Sequence, residues 1–266
     1  MRLALLLAPL LGAAVVSGYH SPYAVRFTMP VAELNAGLDV RVAHLCPVPA
    51  AQWYSASVRR EFGAWGPRAG MLPAPEGLAQ HDAEWKRERV IAAALRFQGY
   101  TYQHHHLPDW DPPAGWPWTP TKVGHNAKGV DCSNMVSVAY DLALGIQPDT
   151  NVHRLAVESV FPGPGGQRIA GHRIEKPASY RELTRTLQTG DLLFVKHSPA
   201  GEVSHVVLWV GAIGQAPDGA PLVLDSHGAG VMDSAGAEIP CGVQLRPFRE
   251  ASWYWTCASH AMRIVE

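Results

Sequence analysis

Residues 203–211 form an apolar run that strongly limits the folds open to this chain. The run reads Val-Ser-His-Val-Val-Leu-Trp-Val-Gly, and His205 is its one strongly polar interruption. A strand that is apolar on both sides is typical of a sheet whose two faces are covered. A buried imidazole needs hydrogen-bond partners, so His205 is predicted to be either a satisfied core histidine or a functional residue.

Two neighbouring segments also predict strands. Residues 190–196 turn at Gly-Asp and continue as Leu-Leu-Phe-Val-Lys, and residues 221–228 read Pro-Leu-Val-Leu-Asp-Ser-His-Gly. Asp225 and His227 are two residues apart, so they point to the same face of an extended strand. Either of them can orient the imidazole of His205, and both are also ordinary residues at a strand end.

Cys132 begins a segment with helical periodicity. Its apolar positions follow the i, i+3, i+4, i+7 spacing, and Gly145 is placed to end the helix. Amide groups at a helix N-terminus favour a thiolate and can donate to an oxyanion. Cys132 is therefore predicted to be a nucleophile whose proton is drawn by His205, although a lone helix-start cysteine is often structural.

The order of these three motifs resembles the NlpC/P60 cysteine peptidases. The resemblance runs from about Asp82 to the C-terminus and includes Asp-Cys-Ser, Gly-Asp-Leu-Leu-Phe and Ser-His-Val-Val-Leu-Trp-Val-Gly. It implies an α+β, papain-like fold in which the nucleophile helix packs on an antiparallel sheet. It also implies Cys132 as nucleophile and His205 as base, with Asp225 ahead of His227 as the third polar residue.

The same resemblance implies a substrate. Family members hydrolyse amide bonds in cell-wall peptides, here the γ-D-glutamyl to diamino acid bond of peptidoglycan, and need no metal or organic cofactor. It makes Tyr102, with Tyr100 as the alternative, an active-site aromatic residue, and it assigns Asp131 and Ser133 to recognition of a free amino end of the stem peptide. The chain departs from the family at Asn134, where glycine is usual, and in residues 103–110, where family members have a short connection. Both departures are expected to alter the substrate side of the site.

Two other functions remain open at this point. The first is an amidase or acyltransferase that uses the same cysteine and histidine on another amide or a lipid ester, which Asn134 and the aromatic loop favour. The second is a non-catalytic, wall-binding module on a degenerate hydrolase scaffold. The presence of candidates for all three catalytic roles argues against the second.

The N-terminus predicts export. Arg2 precedes a 14-residue apolar run at 3–16, interrupted by Pro9 and Gly12, which suits a signal peptide and is too short to span a bilayer comfortably. We expect cleavage near Tyr19, a periplasmic or extracellular mature protein and no stable membrane anchor. The net charge of −1 indicates neither nucleic acid nor an anionic membrane as a partner.

The remaining segments give a domain plan. Residues 1–18 are the predicted signal peptide, and residues 19–81 are an arm or small subdomain with aromatic anchors. Residues 82–266 are the catalytic domain, which begins with a helix capped by Asp82 and ending at Gly99. The predicted anchors of the arm are Trp53, Tyr54, Phe62 and Trp65.

The long loop at 103–128 is rich in histidine, proline and tryptophan. Adjacent side chains of an extended segment alternate between faces, so the run 104–106 of three histidines is not expected to converge on one metal ion. Trp110, Trp116 and Trp118 are predicted to form a wall of the cleft. Among the four cysteines, Cys241 and Cys257 are the candidates for a single bridge, since export permits one.

Overall fold

A computed structural model describes residues 19–38, 45–53, 55–63, 66–108, 128–228 and 230–266. The predicted signal peptide, the anchors Tyr54 and Trp65, and the predicted cleft wall at Trp110, Trp116 and Trp118 lie outside these residues. The described helices are α1 Val31–Leu34, α2 Ala56–Phe62, α3 Ala83–Leu95, α4 Cys132–Leu144, α5 Val152–Leu155, α6 Tyr180–Thr186 and α7 Trp253–Thr256. The described strands are β1 Ala24–Val25, β2 Val160–Pro162, β3 Arg168–Ala170, β4 His172–Glu175, β5 Leu192–Lys196, β6 Val203–Trp209, β7 Gly214–Gln215, β8 Leu222–His227, β9 Gly242–Pro247 and β10 Ala258–Arg263.

The main sheet has six strands in the order β4-β10-β5-β6-β8-β9, and every neighbouring pair is antiparallel. Two short two-stranded sheets, β1-β7 and β2-β3, flank it. Helices and an antiparallel sheet in one domain make the fold α+β, as predicted.

Apolar side chains of the central strands alternate between two cores. Val206 and Leu208 of β6 pack in one core with residues of α3 and α4, whereas Val207 and Trp209 pack in a second core on the opposite face. The second core contains Leu183 of α6 and Tyr254 of α7. Both faces of β6 are therefore covered, which confirms the prediction made from its apolar sequence.

Helix α4 begins and ends where the sequence predicts. The side chain of Asp131 caps its first turn by accepting a hydrogen bond from the Asn134 amide at 2.9 Å. Gly145 ends the helix with a left-handed φ of 65°. A Cβ on Gly145 would lie 3.0 Å from the backbone nitrogen of Ala74, so this position needs glycine for both conformation and space. Helix α3 is also capped by Asp82 as predicted, but it ends at Leu95, four residues before Gly99.

Strands β6 and β8 leave room for the start of α4. They pair at Leu208↔Leu224 and Trp209↔Val223, toward one end of each strand. Beyond that pairing, the hydroxyl of Ser226 in β8 donates a 2.6 Å hydrogen bond to the carbonyl of Val130. The chain that leads into Cys132 is thereby held against β8, beside the end of β6 that carries His205.

The N-terminal segment is bonded to α3. The buried carboxylate of Glu88 accepts hydrogen bonds from the amides of Thr28 and Met29 and from the Thr28 hydroxyl. The buried guanidinium of Arg89 donates to the carbonyls of Leu34 and Ala36 at 2.8 and 2.7 Å and to that of Ala143 at 2.9 Å. These two side chains connect residues 28–36 to the helices that support the site.

Replacing Arg89 with methionine is expected to lower the free energy of unfolding by about 2–4 kcal/mol, because buried carbonyl acceptors in two segments lose their charged donor. Chemical denaturation followed by circular dichroism measures the change. Arg181→Met, on the exposed side of α6, is the matched control and should change stability by less than about 0.5 kcal/mol. Equal stability of the two variants would contradict the connecting role of Arg89.

No helix in the described part of the chain is long and apolar enough to cross a membrane. All four cysteines lie in the described part and carry free thiols, so Cys241 and Cys257 do not form the bridge considered above.

Candidate active site

Cys132 is the first residue of α4, directly after the capping residue Asp131. The first amides of a helix have no partner within the helix and carry its positive end. The Cys132 side chain is nearly buried and lies close enough to His205 to raise the pKa of that imidazole. This arrangement gives the thiol a proton acceptor and gives a developing oxyanion a backbone donor.

The imidazole of His205 lies between Cys132 and Asp225. Its Nε2 is 2.8 Å from Oδ1 of Asp225. A carboxylate only accepts, so Nε2 carries a proton and Nδ1 is the nitrogen left for the thiol. Burial alone would lower the pKa of His205, but the Asp225 carboxylate and Cys132 outweigh it, and the pKa is raised above its usual value of about 6.5.

Asp225 is completely buried and uses both carboxylate oxygens. Its Oδ1 binds His205, and its Oδ2 accepts a 2.6 Å hydrogen bond from the hydroxyl of Tyr254. Nε of Arg246, also completely buried, lies 4.0 Å from Oδ2. Burial would raise the pKa of Asp225, but His205 and the neighbouring cations lower it to about 2. The residue is therefore a carboxylate held in one orientation.

His227 occupies a different position from Asp225. Its ring centroid lies 5.3 Å from that of His205, with the two rings nearly perpendicular, and 5.4 Å from that of Trp253. Burial lowers the pKa of His227. Of the two candidates considered for the orienting role, the geometry places Asp225, and not His227, against Nε2 of His205.

Tyr102, Asp131 and Ser133 line a cleft of about 400 Å³ together with Cys132. Burial, followed by the nearby Cys132 and Asp131, raises the pKa of Tyr102. The Ser133 hydroxyl donates to the Thr150 carbonyl at 2.7 Å. The structure thus brings the three residues predicted for substrate binding together at the nucleophile.

The histidine run separates as its alternation predicts. His104 and His106 line the cleft, whereas His105 is buried beside Trp53 and accepts a hydrogen bond from the Leu107 amide. In the described residues, no group of three or more His, Cys, Asp or Glu side chains is placed to hold a metal ion.

Asn134 does not project into the cleft, contrary to the expectation that it adds a side chain to the substrate side. It is completely buried, and its Nδ2 donates to Oδ1 of Asp131 at 2.8 Å. The same oxygen accepts the Asn134 backbone amide and lies 3.4 Å from the Ser133 hydroxyl. The effect of Asn134 on the substrate side is therefore indirect: it occupies one oxygen of Asp131, while Oδ2 lies 3.7 Å from Nδ1 of His104.

Sequence reasoning missed Tyr254 and Arg246. Tyr254 belongs to an aromatic segment whose place in the core or at the cleft the sequence does not decide, and it is 29 residues from the carboxylate it binds. Arg246 gives a weak hint, because it is a charged side chain within residues 242–248, a segment whose sequence also predicts a strand. Neither residue stands in a motif with Cys132 or His205.

Replacing Tyr254 with phenylalanine is expected to lower kcat about 10-fold to 30-fold with little change in KM, because the Asp225 carboxylate loses a hydrogen bond of charged type. Steady-state kinetics measures kcat and KM separately. The matched control is Tyr180→Phe, which removes a 2.7 Å hydrogen bond to the Phe248 carbonyl and should leave kcat unchanged. Equal kcat for Tyr254→Phe and the native chain would exclude a positioning role.

The α+β fold and the adjacent thiol, imidazole and carboxylate define the class of papain-like thiol proteins. The family model that matches the chain is described as "NlpC/P60 family", and the match covers residues 119–238. This match confirms the resemblance predicted from the sequence, and members are generally cysteine peptidases or amidases. The matched segment contains Cys132, His205 and Asp225, whereas Tyr102 and Tyr254 lie outside it.

The solved structures that resemble the chain include the following three. An NlpC/P60 family protein from Bacillus cereus is 18% identical with a TM-score of 0.39, and the match covers 73% of this chain and 42% of that one. The P60 domain of an antigen from M. avium paratuberculosis is 21% identical with a TM-score of 0.38, covering 71% and 100%. NlpC1 from Trichomonas vaginalis is 13% identical with a TM-score of 0.36, covering 67% and 44%. The chain therefore spans less than half of the length of the first and third structures. No curated protein sequence matches the chain.

Proposed function

We propose that the chain is an exported thiol hydrolase that cleaves an amide bond in a peptide of the bacterial cell wall. The observation that carries the proposal is the position of Cys132 at the start of α4 near His205, whose Nε2 is bonded to the buried Asp225. The family match supports a hydrolase of the cell-wall type. The apolar run at 3–16 supports export.

In this proposal, His205 takes the thiol proton and the sulfur of Cys132 attacks the amide carbonyl carbon. The carbonyl oxygen, now an oxyanion, accepts a hydrogen bond from the backbone N–H of Cys132 at the helix start. His205 then gives the proton to the leaving nitrogen, so that an amine departs and a thioester remains. Water, activated by His205, hydrolyses the thioester and restores the thiol. Asp225 keeps the proton on Nε2 throughout and stabilises the imidazolium.

The substrate we propose is a peptidoglycan stem peptide, cut at the bond between γ-D-glutamate and the diamino acid. The carboxylate of Asp131 and the hydroxyl of Ser133 line the cleft beside Cys132, where they can receive a free amino end. Oδ1 of Asp131 is engaged by Asn134, so a cationic group would meet Oδ2, which lies 3.7 Å from Nδ1 of His104. Tyr102, a neutral phenol in the same cleft, supports an aromatic wall.

Digestion of purified peptidoglycan with the mature protein, followed by mass spectrometry of released fragments, tests the proposal. We expect fragments that end in γ-D-glutamate, and none from the Cys132→Ala protein. A panel of simple acyl esters and amides is assayed in parallel. Turnover of those compounds without release of wall fragments would favour the amidase or acyltransferase, and binding to the wall without turnover would favour the non-catalytic module.

A further inference from the structure

His104 lies between two other residues that line the cleft at Cys132. Its ring meets that of Tyr102 edge to face, with the ring centroids 5.2 Å apart, and its Nδ1 is 3.7 Å from Oδ2 of Asp131. The family resemblance assigns substrate contacts to both neighbours, whereas His104 belongs to residues 103–110, in which the chain departs from the family. His104 is therefore a feature of this chain at the place where a substrate would be recognised.

The carboxylate of Asp131 has little room for a further partner. Its Oδ1 accepts hydrogen bonds from the backbone and side-chain amides of Asn134 at 2.9 and 2.8 Å, and the Ser133 hydroxyl lies 3.4 Å from the same oxygen. Its Oδ2 faces His104, and the Asp131 side chain is only 5% exposed. A substrate ammonium can therefore reach Oδ2 only if the His104 ring moves aside.

Of the two histidines of the run 104–106 that line the cleft, His104 is the one that competes with a cation at this carboxylate. Burial lowers the pKa of His106, so its ring is uncharged at neutral pH. His104 is partly exposed, with one side of the ring toward the solvent and Nδ1 toward Asp131. A ring in this position covers Oδ2 by its volume in either charge state, and a protonated ring also repels an approaching ammonium.

A free amino end and an acylated one meet different conditions in this cleft. An ammonium that enters without displacing His104 loses water and gains no acceptor, which is costly, whereas an acylated amino end has no charge to satisfy. Given the proposed hydrolysis of stem peptides, on which this inference rests, we propose that His104 is a specificity-determining residue. It takes the place of an ammonium at Asp131, so that the enzyme prefers a stem peptide whose amino end is acylated.

The test uses one γ-D-glutamyl stem peptide in two forms, with a free and with an acetylated amino end. We expect the native protein to prefer the acetylated form about tenfold in kcat/KM. His104→Ala uncovers Oδ2 of Asp131 and should raise the free-to-acetylated ratio of kcat/KM about tenfold, through a lower KM for the free form. His153→Ala removes an exposed histidine of the same cleft and should change that ratio by less than about twofold.

A double variant shows whether the effect depends on the Asp131 carboxylate. Asparagine also caps helices, so Asp131→Asn should keep the start of α4 while removing the charge. In the Asp131→Asn protein, His104→Ala should leave the free-to-acetylated ratio unchanged, because no carboxylate remains to receive the ammonium. The inference is overturned if the native protein prefers the free form, if His104→Ala does not raise the ratio, or if it raises the ratio equally with Asp131 and with asparagine at that position.

A binding measurement separates this inference from the proposed function. Both forms of the peptide are titrated by calorimetry into the Cys132→Ala protein, with and without His104→Ala. An affinity for the free form that rises about tenfold when His104 is replaced, with no rise for the acetylated form, supports the inference even if the native protein hydrolyses neither, in which case the proposed function alone fails. Unchanged affinities, or no binding of either form, overturn the inference whatever the native protein hydrolyses.

Discussion

Replacing Cys132 with alanine is expected to lower turnover of a cell-wall peptide by about 10⁶-fold, because removal of the nucleophile removes the covalent route. Cys132→Ser should be nearly as inactive, since His205 is placed for a thiol and a hydroxyl is the weaker nucleophile. Neither change should alter the fold, because a helix start capped by Asp131 accepts small residues. Release of fragments from peptidoglycan and hydrolysis of a γ-D-glutamyl peptide measure the loss.

The control for this experiment is Cys46→Ala. Cys46 is partly exposed and lies outside the site. Its sulfur accepts a 3.4 Å hydrogen bond from the backbone N–H of Val48. Turnover should stay within about twofold of the native value, as for a substitution away from any catalytic group. A thiol-directed probe should label the native protein and Cys46→Ala at the active site, but not Cys132→Ala. Near-native turnover of Cys132→Ala would exclude thiol catalysis in this chain.

Replacing Asp225 with asparagine is expected to lower kcat by about 10⁴-fold, as for loss of a triad carboxylate, with a smaller change in KM. An amide cannot stabilise the imidazolium, and it can rotate to present its NH₂ group to Nε2. His227→Gln should reduce kcat only mildly, because His227 does not contact Nε2. Steady-state kinetics of both single variants and the double variant on one peptide measures these effects.

Replacing Asp225 with asparagine should also shift the pH dependence of kcat. The Asp225 carboxylate helps to raise the pKa of His205, so the native enzyme keeps its imidazolium to a pH well above histidine's ordinary value of about 6.5. Removing the carboxylate lowers that pKa, and the alkaline limb of the kcat profile should move to lower pH in Asp225→Asn. The limb should stay in place in His227→Gln. If His227→Gln instead loses most of its kcat and Asp225→Asn does not, His227 is the residue that orients His205. If neither substitution lowers kcat, Cys132 and His205 act as a dyad.

Tyr254 and Arg246 show why part of the site is specific to the tertiary structure. Both act on Oδ2 of Asp225, one from α7 and one from β9. The spacing of residues along one helix or strand does not show which residues of different elements come into contact. A family motif can show it, but Tyr254 lies outside the segment that the family model matches. Their positions depend on α7 packing against the sheet face that carries His205 and Asp225.

The local features of this chain follow from its sequence alone. Asp131 and Gly145 define the ends of α4 through capping and left-handed backbone geometry, and the apolar runs define strands covered on both faces. Period-two alternation places Asp225 and His227 on one face. Only the tertiary structure distinguishes them, because the distance to His205 depends on how β8 lies against β6 and on the packing of α7. The position of the Asn134 side chain is likewise decided by the tertiary structure. Its amide bonds to the buried carboxylate of Asp131, so Tyr102, His104 and His106 line the cleft and Asn134 does not.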